Sequence, residues 1–549
     1  MLNLKSAYYY FLAIKIAFIK FIKKIYFTTK YYQKSLETKI PSKFHFFPNS
    51  FLLSSLTNYK DFSFKISDID PDIFWNKQPS SVNERNLNNF LWLNLIDRKN
   101  DASIIQRIIT VWIYKNKAYK KNIWDNSVLS ERVISWILNA NIILDKTDNV
   151  FKKDFLNSII VQTNHLKKNI RFENNYSKKI EVLTAIILSG LIFKEYSENF
   201  ILFIKDLEKT VKNSFDKNGF PLDRNPNNLI KCSKYLVLIK ECIKDSQQLV
   251  PDFLDDIVER NINCMFSIQG PDNQVPLFNG ATESNLYNYL TYLKSLNYKL
   301  KKKNSVVGDI KILKDKKITV FFETGKPPEI NFSSDYQSGP LSFEFFMDEE
   351  KIITNCGFGS QISKKAMLLS RLTSAQSCLC INDKSVVNFE RKKIINNAFG
   401  NSIKNTFKTF DIHQANDESQ IMAVASHDAY LKPYGYIHKR EIKIIKNNDC
   451  LFGEDSLIKK YDTQNNLDYN IRFHLYPGVS AIPTMSGKNI LIHVKKNKSL
   501  LFSTNEENLS VEKSIFLARN QIINNFCIVI SGNTNNENKS VNWKLQKNN

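Results

Sequence analysis

Residues 336–385 read YQSGPLSFEFFMDEEKIITNCGFGSQISKKAMLLSRLTSAQSCLCINDKS. Two short runs, Leu341 to Phe346 and Lys351 to Asn355, are rich in aromatic and β-branched residues, and Asp348, Glu349 and Glu350 make the turn between them. A glycine-broken loop follows, and then a third run from Ser377 to Asn382. Such runs bounded by acidic or glycine-containing turns predict an antiparallel meander. The same period of two recurs in Ile318–Glu323, Tyr436–Ile445, Asn470–Tyr476, Asn489–Lys495 and Phe526–Ile530. From about residue 316 the chain therefore reads as a large antiparallel β-sandwich.

Upstream the period changes to 3.6. Asn86–Ile96, Ser103–Tyr114, Ser127–Leu144, Phe151–Leu166, Lys178–Phe193, Phe200–Phe215, Leu229–Ile243, Phe253–Phe266 and Glu283–Leu296 each predict a helix, with Asn, Asp, Gly or Pro between them. Helices of similar length without intervening strands point to stacked antiparallel pairs. The lysine-rich stretch Leu300 to Asp315 reads as the joint between the two halves. Three domains are expected: a basic segment over 1–48, a helical domain over 49–300 and a β domain over 316–549.

The 549 residues are 43% hydrophobic, enough to bury large cores, which excludes a disordered tail. A net charge of +23 suits an anionic partner: nucleic acid, an acidic membrane face or an acidic polysaccharide. An excess of Lys, Asn, Ile and Phe can also come from a coding bias towards A and T. No nucleic-acid fold signature accompanies the charge. The eight cysteines form no CxxC pair and the seven histidines no HExxH, so neither a zinc finger nor a redox motif is expected. Cys378 and Cys380 are expected as small buried apolar groups.

The N-terminus carries Lys5, Lys15, Lys20, Lys23, Lys24 and Lys30 and no acid through residue 30. Phe11, Ile14, Phe18, Phe21, Ile22 and Ile25 fall in one helical stripe. The first expectation is that this helix docks on its own domain; the second is peripheral membrane contact through residues 11–25. Lys15 and Lys20 interrupt the apolar run of a signal peptide, and no run reaches the length of a membrane span. Leu183–Phe193, the most apolar, reads as a buried helix.

Nine short boxes occur in an order that resembles the heparinase II/III-like family of polysaccharide lyases, over roughly residues 70 to 545. They are WDNSVLSERVISW (Trp124–Trp136), GFPLDRNP (Gly219–Pro226), PLFNGATE (Pro276–Glu283), LSFE (Leu341–Glu344), NCG (Asn355–Gly357), RLTSAQS (Arg371–Ser377), SHDAYLKPYGYIHKR (Ser426–Arg440), GED (Gly453–Asp455) and RFHLYPGV (Arg472–Val479). The resemblance implies an α+β multidomain protein: an N-terminal incomplete (α/α) toroid with a cleft across one end, then a C-terminal antiparallel β-sandwich. It also implies a cell-envelope or periplasmic location, with a cytoplasmic or membrane-peripheral one as the alternative.

A lyase acting on a uronic-acid polymer must neutralise a carboxylate, remove the adjacent proton and protonate the leaving oxygen. The resemblance implies an Asn or His and a Tyr from the toroid and a His before LSFE, with a structural metal in some members. This chain departs at those places. The His-x-His pair is Asp335 and Gln337, the acid near NCG is Asn355, and the His of the AHS-type box is Gln376. Neutral amides are weak metal ligands, so no metal or other cofactor is expected and an amide network takes its place.

For substrate binding the resemblance leaves Asn175, Arg224, Asn225 and Asn279. Arg224 can grip a carboxylate with two hydrogen bonds, or simply open the helix that Asn225 and Pro226 cap. His427, with Tyr434 and Asp335, is the remaining catalytic candidate set. The expected activity is β-elimination on a uronic-acid-containing polysaccharide; the alternative is a member that binds acidic glycan without cleaving it. No oligomeric state follows.

Overall fold

Alternating burial makes the β half visible residue by residue. In strand Tyr436–Ile445 every second side chain is buried and the others are half-exposed, as a strand packed on one face requires. The computed structural model describes residues 4–57, 75, 81–95, 102–301, 304–446, 448–461, 466–494 and 498–548. Residues 58–74 and 96–101, inside the expected helical domain, lie outside the described residues, as does Lys495 at the end of an expected strand.

By contacts the chain divides into two compact units. One holds residues 15–214 and 230–259; the other holds 1–14, 215–229 and 260–549. The first is helical, the toroid part of the fold. Tyr176–Ile192 is buried along its length and lies against Ser197–Ser214 and Asn126–Leu138. Capping fixes where these helices begin: Asp125, Asp148 and Asn175 each accept a backbone N–H from the first turn. The expected helix Asn86–Ile96 is instead helix Ser81–Asn88 and 3-10 turn Leu91–Leu95, broken at Phe90, whose φ is +58°. Ser127–Leu144 is likewise split at Asn139.

The second unit contains two antiparallel sheets. One runs, edge to edge, Val306–Val307, Ile310–Lys314, Ile318–Glu323, Phe343–Met347, Glu350–Thr354, Asp468–Leu475, Ile523–Asn533 and Asn508–Phe516, with Leu379–Ile381 also paired to Asp468–Leu475. The other runs Ser480–Pro483, Asn489–Val494, Lys498–Thr504, Lys539–Lys547, Cys450–Lys459, Tyr436–Ile445, Gln420–His427 and Thr409–Asn416. Their inner faces share one core that includes Phe343, Phe345, Phe473, Phe502 and Trp543, the layering of a β-sandwich. The expected joint over 300–315 is corrected: Val306–Val307 and Ile310–Lys314 already form a hairpin of the first sheet. Its lysines concealed the apolar side chains of Ile310 and Leu313, which are buried.

The PLFNGATE box is stitched to the β part of this unit by main chain. Phe358 N donates to the Ala281 carbonyl and Glu283 N to the Ala518 carbonyl, each at 3.1 Å. All eight cysteines are buried free thiols.

Candidate functional site

GFPLDRNP forms a tight reversal ahead of helix Pro226–Asp245. Asp223 Oδ1 accepts from Asn225 N at 3.0 Å, and Asp223 Oδ2 from Asn228 Nδ2 at 2.6 Å. The Asn225 carbonyl accepts from Asn228 N and Leu229 N, and its side-chain oxygen from Asn227 N at 2.9 Å. Asn225 is thus the helix cap and Pro226 the first helical residue. Arg224, just ahead of them, takes a left-handed φ of +57° that turns its side chain inwards.

Inwards, the guanidinium meets an internal carboxylate. Arg224 Nη2 donates to Glu323 Oε1 and Nη1 to the Lys326 carbonyl, while Nε is buried without a hydrogen-bond partner. Glu323, the last residue of its strand, also accepts from Gly325 N at 2.9 Å and from Asn279 Nδ2 at 3.0 Å. Three donors face the two oxygens and oppose burial, which still raises the carboxyl above its ordinary value. A Cβ on Gly325 would overlap the guanidinium, so the close approach needs glycine there. The expectation that Arg224 grips a substrate carboxylate is therefore corrected: Glu323 occupies it. Asn279 serves the same knot, and its own φ is +52°.

The residues before LSFE lie beside this knot. Gly280, with φ +94°, has Asp335 Cβ only 2.7 Å and Asn225 Nδ2 2.9 Å from where a Cβ would stand. Burial raises the Asp335 carboxyl, with Arg371 pulling the other way. Gln337 is pinned at both ends: Oε1 accepts from Gly280 N at 3.0 Å, and Nε2 donates to the Gly357 and Ser370 carbonyls at 3.0 and 2.8 Å. Gln376 Nε2 reaches the same Ser370 carbonyl at 2.8 Å. Asn355 is tied elsewhere, accepting from Ser377 N at 2.9 Å and donating to the Leu277 carbonyl at 3.3 Å. These amides bond backbone rather than one another. They do not fit the structural metal of the family resemblance, because the oxygens of Gln337 and Asn355 already accept N–H groups. Among the described residues no group of three or more His, Cys, Asp or Glu side chains is placed to hold a metal ion.

His427 is fully buried in the sandwich. Its Nδ1 accepts from Ala429 N at 3.2 Å and its Nε2 faces His438 Nδ1 at 3.0 Å; His438 Nε2 faces Asp455 Oδ1 at 2.7 Å. Asp455 further accepts from Arg440 Nε and Nη2 and from Trp543 Nε1. Burial first, then the neighbouring His438, hold His427 far below the usual imidazole pKa. A ring with both nitrogens engaged inside the core cannot reach a polysaccharide, which corrects its expected role as base. Tyr434, in the turn Leu431–Tyr434, is half-buried and packs its ring on Tyr430. The remaining buried histidine of this unit, His474, is bonded to Ser514 and to the Ser374 carbonyl.

Asn175 belongs to the helical unit, where it is exposed and caps Tyr176–Ile192 by accepting from Lys178 N at 3.0 Å. In that unit the sequence reading passed over a buried carboxylate pair. Glu131 accepts from Arg85 and Asn89, and Glu181 lies 2.9 Å from Lys231 Nζ. Burial and the Glu181 charge, opposed by Arg85 and Lys231, push Glu131 up to about 7. The signal was present: Glu181 interrupts the apolar helix that runs on to Ile192, where an acid must have a reason to be buried.

Residues 301–544 match the family described as Heparinase II/III-like, C-terminal. Among curated proteins, FtsZ-localized protein C of Caulobacter vibrioides (strain NA1000 / CB15N) is 25% identical over 191 residues, a match spanning 33% of this chain and 32% of that protein. Of solved structures, Heparinase III is similar with a TM-score of 0.68 at 11% identity, covering 91% of this chain and 85% of that one. The heparan sulfate lyase HepC mutant from Pedobacter heparinus follows with a TM-score of 0.64 at 14% identity, covering 90% and 82%. At such identities the two structures speak for the fold, a helical toroid with a β-sandwich. The family match over residues 301–544 and the fold shared with these structures make the C-terminal part of this chain heparinase II/III-like.

Proposed function

We propose that this protein binds an acidic, uronate-containing polysaccharide of the cell envelope and has lost the elimination chemistry of its family. The fold and the +23 charge support the glycan. The observation that carries the loss is Gln337: where the resemblance implies a histidine, a buried amide spends its oxygen and its nitrogen on Gly280, Gly357 and Ser370. Such a group accepts no proton at ordinary pH. A panel of uronate oligosaccharides tests this, with affinity measured by calorimetry and cleavage by the ultraviolet absorbance of an unsaturated uronate. Binding without product is expected; product formation overturns the loss, and no binding to any acidic oligosaccharide overturns the ligand.

One observation favours a second reading, a working lyase. Asp335 stands at the first position of the implied histidine pair, and burial raises its carboxyl towards a more basic range. If Asp335 takes the proton, Asp335→Asn abolishes product while affinity stays within about threefold, since the lost interaction belongs to the transition state.

A further inference from the structure

We propose that the N-terminal helix Leu4–Tyr26 lies on the surface of a bilayer containing anionic phospholipid and holds the protein there. The proposal is independent of the glycan reading. The helix carries two apolar faces. Leu12, Ala13, Ile16 and Ile19 are buried or half-buried, and Tyr9 sets its ring against Phe399 at 5.8 Å. This is the face that docks on the protein. The stripe read from the sequence is a different one, and it points outwards: Phe11, Phe18 and Phe21 are 69, 63 and 60% exposed, and Ile14, Ile22 and Ile25 are 47 to 54% exposed.

Three phenylalanines and three isoleucines on one exposed stripe exceed the scatter of single apolar residues that a protein surface tolerates. From Phe11 to Ile25 the stripe is about 21 Å long at about 1.5 Å per residue. No helix among the described residues is long and apolar enough to cross a membrane, and this one is already held along its inner face. It is placed to lie in the interface, with its stripe among the acyl chains.

Charge selects the occupant. Residues 1–36 contain seven lysines, Lys5, Lys15, Lys20, Lys23, Lys24, Lys30 and Lys34, and no aspartate or glutamate. Lys15 and Lys24 are exposed on the flanks of the stripe, and Lys20 is exposed farther round the helix. Lysines at a bilayer surface are attracted to anionic headgroups. A second copy docking stripe to stripe would instead bring two rows of lysine together with no acid in either helix, a like-charge arrangement that disfavours association.

Flotation of the full chain with vesicles tests the proposal, comparing phosphatidylglycerol with phosphatidylethanolamine against phosphatidylcholine alone. Flotation with the anionic vesicles, weakened by salt and at least about tenfold lower in F18E/F21E, is expected. Circular dichroism and melting verify that the variant is folded, and F18S/F21S, which adds no charge, must show the same direction. Failure of the full chain to float with anionic vesicles overturns the proposal, as does flotation of both variants equal to that of the parent. Sedimentation showing a dimer that F18E/F21E dissociates, without flotation, assigns the stripe to a second copy and overturns it too.

Discussion

His427 and His438 lie 3.0 Å apart, Nε2 to Nδ1, and Asp455 decides which of them carries the proton between them. Arg440, with burial opposing it, holds Asp455 well below the usual carboxylate range, so the carboxylate is ionised and His438 Nε2 donates to it. The neutral His438 then accepts at Nδ1, His427 donates from Nε2, and His427 Nδ1 is left to accept from Ala429 N. Every polar atom in this buried line has a partner, and the line ends inside the protein. Asp455→Asn would leave the Arg440 guanidinium buried without its counter-charge, so unfolding in guanidinium chloride should show a loss of about 3–5 kcal/mol. Oligosaccharide affinity of the folded variant should not change.

Stability should fall on acidification. Burial, the leading cause in each case, lowers His165, His427, His438 and His474 in the folded protein, His474 to about 4. A base whose folded pKa is depressed contributes stability above its unfolded value near 6.5, and that stability is lost as pH falls towards the folded value. For His474 alone the loss by pH 4 is on the order of 3 kcal/mol. Glu131, raised to about 7, works in the opposite sense, since its contribution is present at acid pH and is lost as pH rises through 7. Asp216, Glu323 and Asp335, also raised by burial, act in the sense of Glu131, but the four histidines are the groups whose ordinary value lies inside the window, so the melting temperature should drop between pH 7.5 and pH 5. A flat or rising profile would contradict these assignments, and His474→Gln should shallow the slope.

The Arg224–Glu323 pair separates structural from binding effects. Arg224→Ala leaves the Glu323 carboxylate buried without its cation, which should cost about 3–5 kcal/mol. Glu323→Gln should cost a similar amount, for it strands the guanidinium. The double variant R224M/E323Q should be more stable than the two single losses added together, with a coupling of about 0.5–3 kcal/mol. Calorimetric affinity of the double variant for a uronate oligosaccharide should match that of the parent; a loss of tenfold or more, about 1.4 kcal/mol, would return Arg224 to the binding surface.

Much of the fold was legible because burial writes a period into the chain. Tyr436–Ile445 is a strand at the limits its alternation gives, Ile318–Glu323, buried throughout, is one at the limits of its β-branched and aromatic run, and Asn225–Pro226 opens a helix as cap chemistry predicts. Polar partnerships were not legible. Glu323 is 99 residues from Arg224, and no local pattern announces that one will neutralise the other. For the same reason His427 looked available: sequence shows an imidazole beside Asp428 and gives no sign that His438 and Asp455, on neighbouring strands, will enclose it. Substitutions at Gln337, Asn355 and Gln376 were visible as losses, but their separate backbone anchors were not.

Gly453, from the GED box, has no room for a side chain. It pairs across strands with Trp543, and a Cβ added there would overlap the indole ring, which therefore lies directly over the glycine. That placement lets Trp543 Nε1 donate to Asp455 Oδ2 at 2.9 Å and lets the ring stack on Phe343, centroid to centroid 5.4 Å. Gly453→Ala must push the indole away, which removes a donor from the buried carboxylate and disturbs the aromatic core together. Overpacking of this kind costs about 1–3 kcal/mol and loss of the hydrogen bond to a charged group about 1.5–3 more. Denaturant unfolding should show the loss, and near-ultraviolet circular dichroism should show a changed tryptophan environment in the folded variant. Replacing the indole as well, in G453A/W543F, should recover the overpacking part and leave the hydrogen-bond part lost. A single variant as stable as the parent would mean that the sandwich yields around Trp543, and the fixed proton positions along His427, His438 and Asp455 would then lack the rigid frame argued for them.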